Sequence, residues 1–201
     1  MRTLFLDLAS HQGLLACAEE DIVRSVPFDH RIGDQGLLPV LQELLKKSEW
    51  DVKDLTHVAC VVGPGGFTSL RVAVALANTL MHQLKIPGAG IHLSDLYRAR
   101  SNKEDVLWLH STKKKELFVR GFGTFSSLWP QSIHLPLEDF LAQLPQGTQW
   151  MGELIPEHRT LCDQKGVKEA ALRALDDALP IFLAAQSFAT KLLEPWYGRG
   201  G

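Results

Sequence analysis

The sequence predicts an α/β protein of two lobes, with a mixed five-stranded sheet flanked by helices in the N-terminal lobe. Three observations carry this. The chain opens with three short apolar runs separated by polar breaks. A continuous apolar run at 57–62 ends on a glycine loop, and a long amphipathic pattern follows at once. With 201 residues and 45% hydrophobic content, the chain is long enough for two lobes of roughly 100 residues, set at 1–102 and 103–201.

The elements follow in order. Residues 4–9, 14–18 and 22–28 read as strands of a meander, broken by His11-Gln12-Gly13 and Glu19-Glu20-Asp21. After the Gly33 to Gly36 break, Leu37, Leu38, Leu41, Leu44 and Leu45 recur at helical spacing and end on Lys46-Lys47, with Pro39 in the first turn. Residues 57–62 form a buried central strand. Leu70, Ala73, Val74, Ala77, Leu80, Met81 and Leu84 mark a second helix, with Thr68 as its N-cap and Ile86-Pro87 at its end. Residues 88–92 are a strand, and Ser94-Asp95 cap a third helix to Arg100. Polar residues 100–105 mark the lobe boundary. Strands at 106–110 and 117–122 then flank Lys113-Lys114-Lys115, a solvated hairpin tip. Beyond them lie a helix at 136–144, a strand at 149–154, a helix at 168–175 and a last helix at 180–193 that packs back on the first lobe. The sequence shows no internal repeat. A meander followed by strand-helix-strand-helix is the pattern of a lobe of the actin, Hsp70 and sugar-kinase (ASKHA) superfamily.

Composition excludes some roles. Twenty-one Lys and Arg against 23 Asp and Glu give a net charge of -2, so there is no whole-chain field to hold a polyanion. Cys17, Cys60 and Cys162 have no metal-ligand or CxxC spacing and read as buried, reduced thiols of a cytoplasmic protein. The start has too short an apolar stretch for a signal peptide. No run approaches the roughly 20 apolar residues of a membrane helix.

Gly63-Pro64-Gly65-Gly66 joins a strand end to a helix start, where unpaired N–H groups and the positive dipole end can hold an anion. It equally fits a tight strand-to-helix turn, having neither a Walker lysine nor a GxGxxG spacing. Asp7, beside Ser10, closes the first strand either as a phosphate- or metal-side carboxylate or as the cap of its own turn. Asp7, Ser10, Gly63, Gly65, Gly66 and Thr68 are therefore the nucleotide-proximal candidates, and they converge only if the first hairpin and the glycine loop share one end of the sheet.

The stretch GPGGFTSLRVAVALANTLMHQLKIPGAGIHLSDL at 63–96 resembles the GPGSFTGLRIG motif, long helix, Ile-Pro pair and short strand of the TsaB family. The opening LFLDLAS resembles that family's I-x-x-I-D-T-S start, and EPWYGR at 194–199 its closing P-x-Y-x-R. Agreement is strongest over residues 1–100. The chain departs from the pattern at Gly33-Asp34, where the family has His-Ser, and at Ala9, where it has Thr or Ser. It departs again at Ser111 and Lys113 to Lys115, near a family Asp-Ala-Arg segment.

The resemblance implies a non-catalytic subunit supporting a TsaD-type transferase, its paralogue, in making threonylcarbamoyladenosine at adenosine 37 of tRNA. It implies a TsaE-type ATPase as a further partner, a homodimer as an alternative assembly, and contact with tRNA only indirectly. No cofactor is required, and ATP or ADP would bind only at a subunit junction. The TsaD metal motif His-x-x-x-His aligns with His92 and Leu96, and Leu binds no metal. Neither a nucleophile elbow nor a His pair at helical spacing points to catalysis, so no catalytic or metal residue is assigned. The resemblance places a partner interface on the two long helices, at Leu37, Leu41, Leu44 and Leu45 and at Leu70, Val74, Ala77, Asn78 and Met81, as an apolar patch exposed in the monomer. The competing reading is an independent ATP-binding phosphotransferase or ATPase of the actin-like superfamily using Asp7 and the glycine loop.

Overall fold

The computed structural model describes residues 1–20, 22–29 and 34–198. Gly33, half of the Gly33-Asp34 departure, and Arg199 of the closing motif lie outside them. Two compact units emerge: Met1–Leu93 with Ala174–Tyr197, and a second built on Ser94–Arg173. The division falls at Leu93/Ser94, where the sequence suggested 102/103.

The first unit is organised by β1 (Thr3–Asp7), all five of whose residues are buried. It lies between antiparallel β2 (Gln12–Glu19) and parallel β4 (His57–Gly63), with Leu6 opposite Leu15 on one side and Cys60 on the other. β3 (Ile22–Asp29) and β5 (Gly88–His92) complete a mixed sheet of order β3-β2-β1-β4-β5. Since β1, β4 and β5 are mutually parallel, their C-terminal ends share one side of the sheet, where ligand sites of α/β folds form.

Helices α1 (Asp34–Ser48) and α2 (Phe67–Leu84) complete the core with Leu37, Leu41, Leu44, Ala73, Val74, Ala77 and Met81. α1 begins three residues earlier than the apolar pattern suggested, so Pro39 lies in its second turn. α2 starts on Gly66 as N-cap, and Thr68 is already helical, which corrects the expected cap. Lys85 in the left-handed region ends α2 by donating its N–H to the Met81 carbonyl. Leu44 is fully buried. Leu44→Ala is expected to cost about 2–5 kcal/mol, read as a lower urea midpoint with unchanged m-value.

The second unit has β6 (Val106–Lys113) at its centre, antiparallel to β7 (Glu116–Phe122) and parallel to β9 (Gln149–Glu153). β8 (Ile133–Pro136) and β10 (Lys168–Glu169) flank them. Its order, β8-β7-β6-β9-β10, repeats the meander and two parallel additions of the first sheet. The sequence carries no visible repeat, because sheet topology constrains only burial pattern and turn positions. Leu107, Leu109, Trp129, Phe140 and Trp150 pack its core, with α4 (Leu137–Gln143) and α5 (Pro156–Gln164) alongside.

Helix positions differ most towards the C-terminus. α5 was not anticipated, because only His158 and Cys162 of this mostly polar segment are buried. The helix expected at 168–175 is instead the short β10 and a connection. The last helix, α6, spans Leu175–Ala184 rather than 180–193. Asp176 and Asp177 favour its N-terminus through the helix dipole, and Pro180 is held within it. From Ala185 to Gly198 the chain forms no further helix or strand, only a single bridge at Ala189. Among the described residues no helix is long and apolar enough to cross a membrane.

Candidate functional site around the glycine loop

The parallel pairing of β1 with β4 brings the Asp7 turn and the glycine loop to the same end of the sheet, meeting the condition for the candidates to converge. They are in contact. A Cβ added at Gly65 would lie 2.8 Å from the Ala9 Cα, so any side chain there would separate the loop from the first hairpin.

Asp7, 3% exposed, accepts hydrogen bonds from the backbone N–H of Ala9 at 2.9 Å and of Ser10 at 3.0 Å, and from the Ser10 hydroxyl at 2.5 Å. Its carboxylate thus caps its own turn, the local arrangement Asp favours, and Ser10 completes the same cap. Cys60, paired with Leu6 of β1, and Val61 are fully buried. Burial first, and the Asp7 charge second, push the Cys60 thiol far above the ordinary thiol range. Desolvation likewise raises Cys17 and takes Cys162 to about 11. All three thiols are buried and free. None should react with a disulfide reagent at pH 8 until the protein is unfolded, when all three should titrate; a thiol counted in the native state would contradict this burial.

The opposite side of the loop is closed by the chain's own C-terminal segment. Trp196 donates its backbone N–H to the Val62 carbonyl at 2.8 Å, and its carbonyl lies against the Gly63 Cα, in the space a Cβ would take. Gly63 has φ +146°, a region that side chains avoid, so both torsion and packing require glycine here. The Trp196 indole stands edge-on to His92, centroids 4.6 Å apart, and Tyr197 stacks on Phe67 at 5.0 Å. Arg71, one turn into α2, holds its guanidinium 5.3 Å from the Phe67 ring. Aromatic side chains thus stand beside the first turn of α2, where Phe67 remains 59% exposed and Gly66 and Thr68 are exposed.

The segment is anchored upstream as well. Asn78 on α2 donates to the Leu193 carbonyl at 3.0 Å and accepts from its N–H at 2.9 Å, reading one residue's backbone in both directions. Ala189 forms an antiparallel bridge with Gly88 of edge strand β5, with two hydrogen bonds of 2.9 Å. Backbone bonds at Ala189, Leu193 and Trp196 thus tie down a segment that lacks a regular element of its own.

The residues expected at a partner interface are placed differently. Leu37, Leu41, Leu44, Leu45, Leu70, Val74, Ala77 and Met81 are buried in the chain's own core, and Asn78 holds Leu193, so they form no exposed patch. A wide apolar stripe is needed simply to cover the sheet. Of the apolar side chains outside the buried core, Leu38 on α1 is 56% exposed, while Val40 on α1 and Val72, Leu76 and Leu80 on α2 are half-buried, packed against the core on one side. Leu96, at the position of a second metal ligand in the resembled motif, is a buried core side chain. In the sequence Trp196 and Tyr197 stand out only as part of a closing motif. Nothing local could reveal contacts spanning more than 100 positions of chain.

Comparisons with known proteins agree with this architecture. A family model described as TsaD, tRNA N6-adenosine threonylcarbamoyltransferase, matches residues 33–128. The tRNA threonylcarbamoyladenosine biosynthesis protein TsaB of Buchnera aphidicola (subsp. Acyrthosiphon pisum) is 30% identical over 98 residues, 46% of this chain and 44% of that protein. A second Buchnera TsaB is matched over 36% of its length, so these stretches span less than half of either relative. The TsaB of Escherichia coli is 24% identical across 99% of this chain and 95% of its own. Among solved structures, YeaZ from Pseudomonas aeruginosa superposes with a TM-score of 0.70 at 18% identity, covering 96% of this chain and 98% of that one, a likeness of fold. A second Pseudomonas aeruginosa structure, titled as similar to peptidase YEAZ, gives 0.73 at 19% identity over 98% and 99% of the two chains. The fold is of the actin-like ASKHA type, and with the glycine-loop signature the chain is similar to TsaB proteins of several bacteria, at 30% identity over part of its length and 24% over nearly all of it.

Proposed function

We propose that this chain is the non-catalytic subunit of a cytoplasmic complex that makes N6-threonylcarbamoyladenosine in tRNA, held against a TsaD-type transferase. The observation that carries the reading is the state of the glycine loop. Asp7 caps its own turn, and Trp196 and Tyr197 pack over Gly63 and Phe67, so the loop serves to fix the start of α2. The names of the relatives supply the pathway.

The docking face is the outward side of α1 and α2, where Leu38 projects and Val72, Leu76 and Leu80 are half-covered. A TsaD-type paralogue presents an equivalent helix pair, and a second copy of this chain competes for the same face as a homodimer. A TsaE-type ATPase joins the assembled pair, and any ATP or ADP binds at a subunit junction. Light scattering on a mixture with the TsaD-type subunit of the same genome tests the pairing. The expected result is a heterodimer formed at low micromolar concentrations at the expense of the homodimer; two separate species at equal concentrations would refute it.

A further inference from the structure

Two stretches of the first unit carry no carboxylate. One runs from Gly63 through α2 and β5 to Leu93, the first residue of α3 (Leu93–Arg100), and the other from Ala178 to Leu193. They lie side by side, joined by the Gly88–Ala189 bridge and by the Asn78 bonds to Leu193. Between these two anchors Thr190, Lys191 and Leu192 are all exposed, Leu192 at 62%, although its neighbour Leu193 packs against the core. This short span, held at both ends beside the last turn of α2, bounds a cavity of about 270 Å³ lined by Met81, His82, Lys85, Ile86, Thr190 and Leu192.

The floor of the cavity is apolar and adaptable. Gly88 leaves room for the Met81 thioether, which a Cβ there would strike, and an unbranched thioether accommodates side chains of varied shape. The rim is basic. Lys85 and Lys191 are exposed, and among the described residues neither pairs with a carboxylate. The negative end of the α2 dipole, about half a charge, offsets only part of theirs. Glu194 lies past the Asn78 anchor, where the segment has turned towards Val62 and the far end of β4. Asp51 and Asp54, which precede β4, are engaged locally: Asp51 accepts the Lys53 N–H at 3.0 Å, and Asp54 accepts the Asp51 N–H at 2.8 Å and pairs with Arg2 at 3.6 Å.

We propose that this groove docks an acidic peptide segment of a partner protein, seating one apolar side chain against Met81, Ile86 and Leu192 while flanking carboxylates meet Lys85 and Lys191. A cavity of about 270 Å³ falls below the roughly 300–1,000 Å³ of cofactor-sized sites and suits one or two side chains. The apolar floor supplies the anchor, and charge complementarity selects an acidic flank over a basic one. The inference rests neither on the glycine loop nor on the pairing through Leu38 and Leu76.

Amide chemical shifts of the isotope-labelled full chain, titrated at about 50 mM salt with the acetylated and amidated hexapeptide Asp-Glu-Leu-Leu-Glu-Asp, test it. Shifts should be confined to residues 80–86 and 189–193, with a dissociation constant of about 0.1–1 mM, as expected for one buried side chain without a wider interface. Lys85→Glu with Lys191→Glu should weaken this peptide at least tenfold and confer binding of Lys-Lys-Leu-Leu-Lys-Lys, a gain that a damaged fold would not produce. Leu192→Ser should weaken the acidic peptide about threefold or more. All three positions are exposed, so the core is untouched. Absent shifts at about 5 mM peptide, shifts elsewhere on the chain, or equal binding of Asp-Glu-Ser-Ser-Glu-Asp or of the basic peptide to the unaltered chain overturn the proposal. None of these results bears on the proposed function, which the light-scattering experiment tests separately.

Discussion

Gly63→Ala is expected to lower the unfolding free energy by about 3 kcal/mol or more, and to release the C-terminal segment from the glycine loop. Two costs combine. A φ of +146° is a region essentially reserved for glycine, and holding another residue there costs on the order of 1–3 kcal/mol. The added methyl would also occupy the position of the Trp196 carbonyl, so the segment must move and the Trp196 N–H bond to Val62 is broken, about another 1 kcal/mol. Gly66→Ala provides the control within the same loop. Gly66 has φ -63°, its nearest neighbour to an added Cβ is the Ser69 Oγ at 3.5 Å, and the change should cost under about 1 kcal/mol. Urea denaturation gives both values, and limited proteolysis near residues 186–197 reports release. Equal stability of the two variants would show that the loop does not depend on the tail.

The second large effect concerns association. Leu38→Glu combined with Leu76→Glu should weaken binding to a TsaD-type partner by about 100-fold, equivalent to roughly 2.7 kcal/mol, because a carboxylate would be desolvated at the centre of an apolar contact. Leu38 is 56% exposed and Leu76 half-buried, so the fold should survive, and circular dichroism checks that. Leu41→Ala, by contrast, should reduce stability with little direct effect on affinity, since Leu41 is 5% exposed and faces the chain's own core. Full affinity in the double variant would move the interface elsewhere on the molecule.

Much of the first unit was legible because its signals are local. The buried run of β4, the glycine loop, the stripe of α2 and the Ile86-Pro87 stop each lie within a few residues of the feature they determine. The face that α1 and α2 present to solvent was less legible. An apolar stripe shows how much of a helix is covered, and not whether the sheet or a partner covers it. The end of the chain was the hardest to read. Pro180 looks like a helix start, yet α6 begins five residues earlier at Leu175, supported by Asp176, Asp177 and the buried Ala178 and Leu179. The stretch that follows is held by Gly88, Asn78 and Val62, partners about 100 or more residues away, and no periodicity records such contacts.

The closing of the loop also changes what its glycines are for. Gly65 admits Ala9 and Gly63 admits Trp196, so at these two positions protein atoms occupy the space a side chain would take, while Gly66 is exposed. In the proposed function the loop fixes the start of α2, whose outer face meets the partner.

The most direct test of a non-catalytic role within the complex is a reconstituted transfer assay on unmodified tRNA, with threonylcarbamoyladenosine quantified by mass spectrometry of nucleosides. The assay contains the activated threonylcarbamoyl donor, the TsaD-type and TsaE-type proteins, ATP, and this chain added or withheld. Product should form only when this chain and the TsaD-type subunit are both present. It should vanish when the transferase's metal ligands are replaced, and the purified chain alone should turn over no ATP. Product formed at an undiminished rate without this chain, or ATP hydrolysis by the chain alone, would contradict the account.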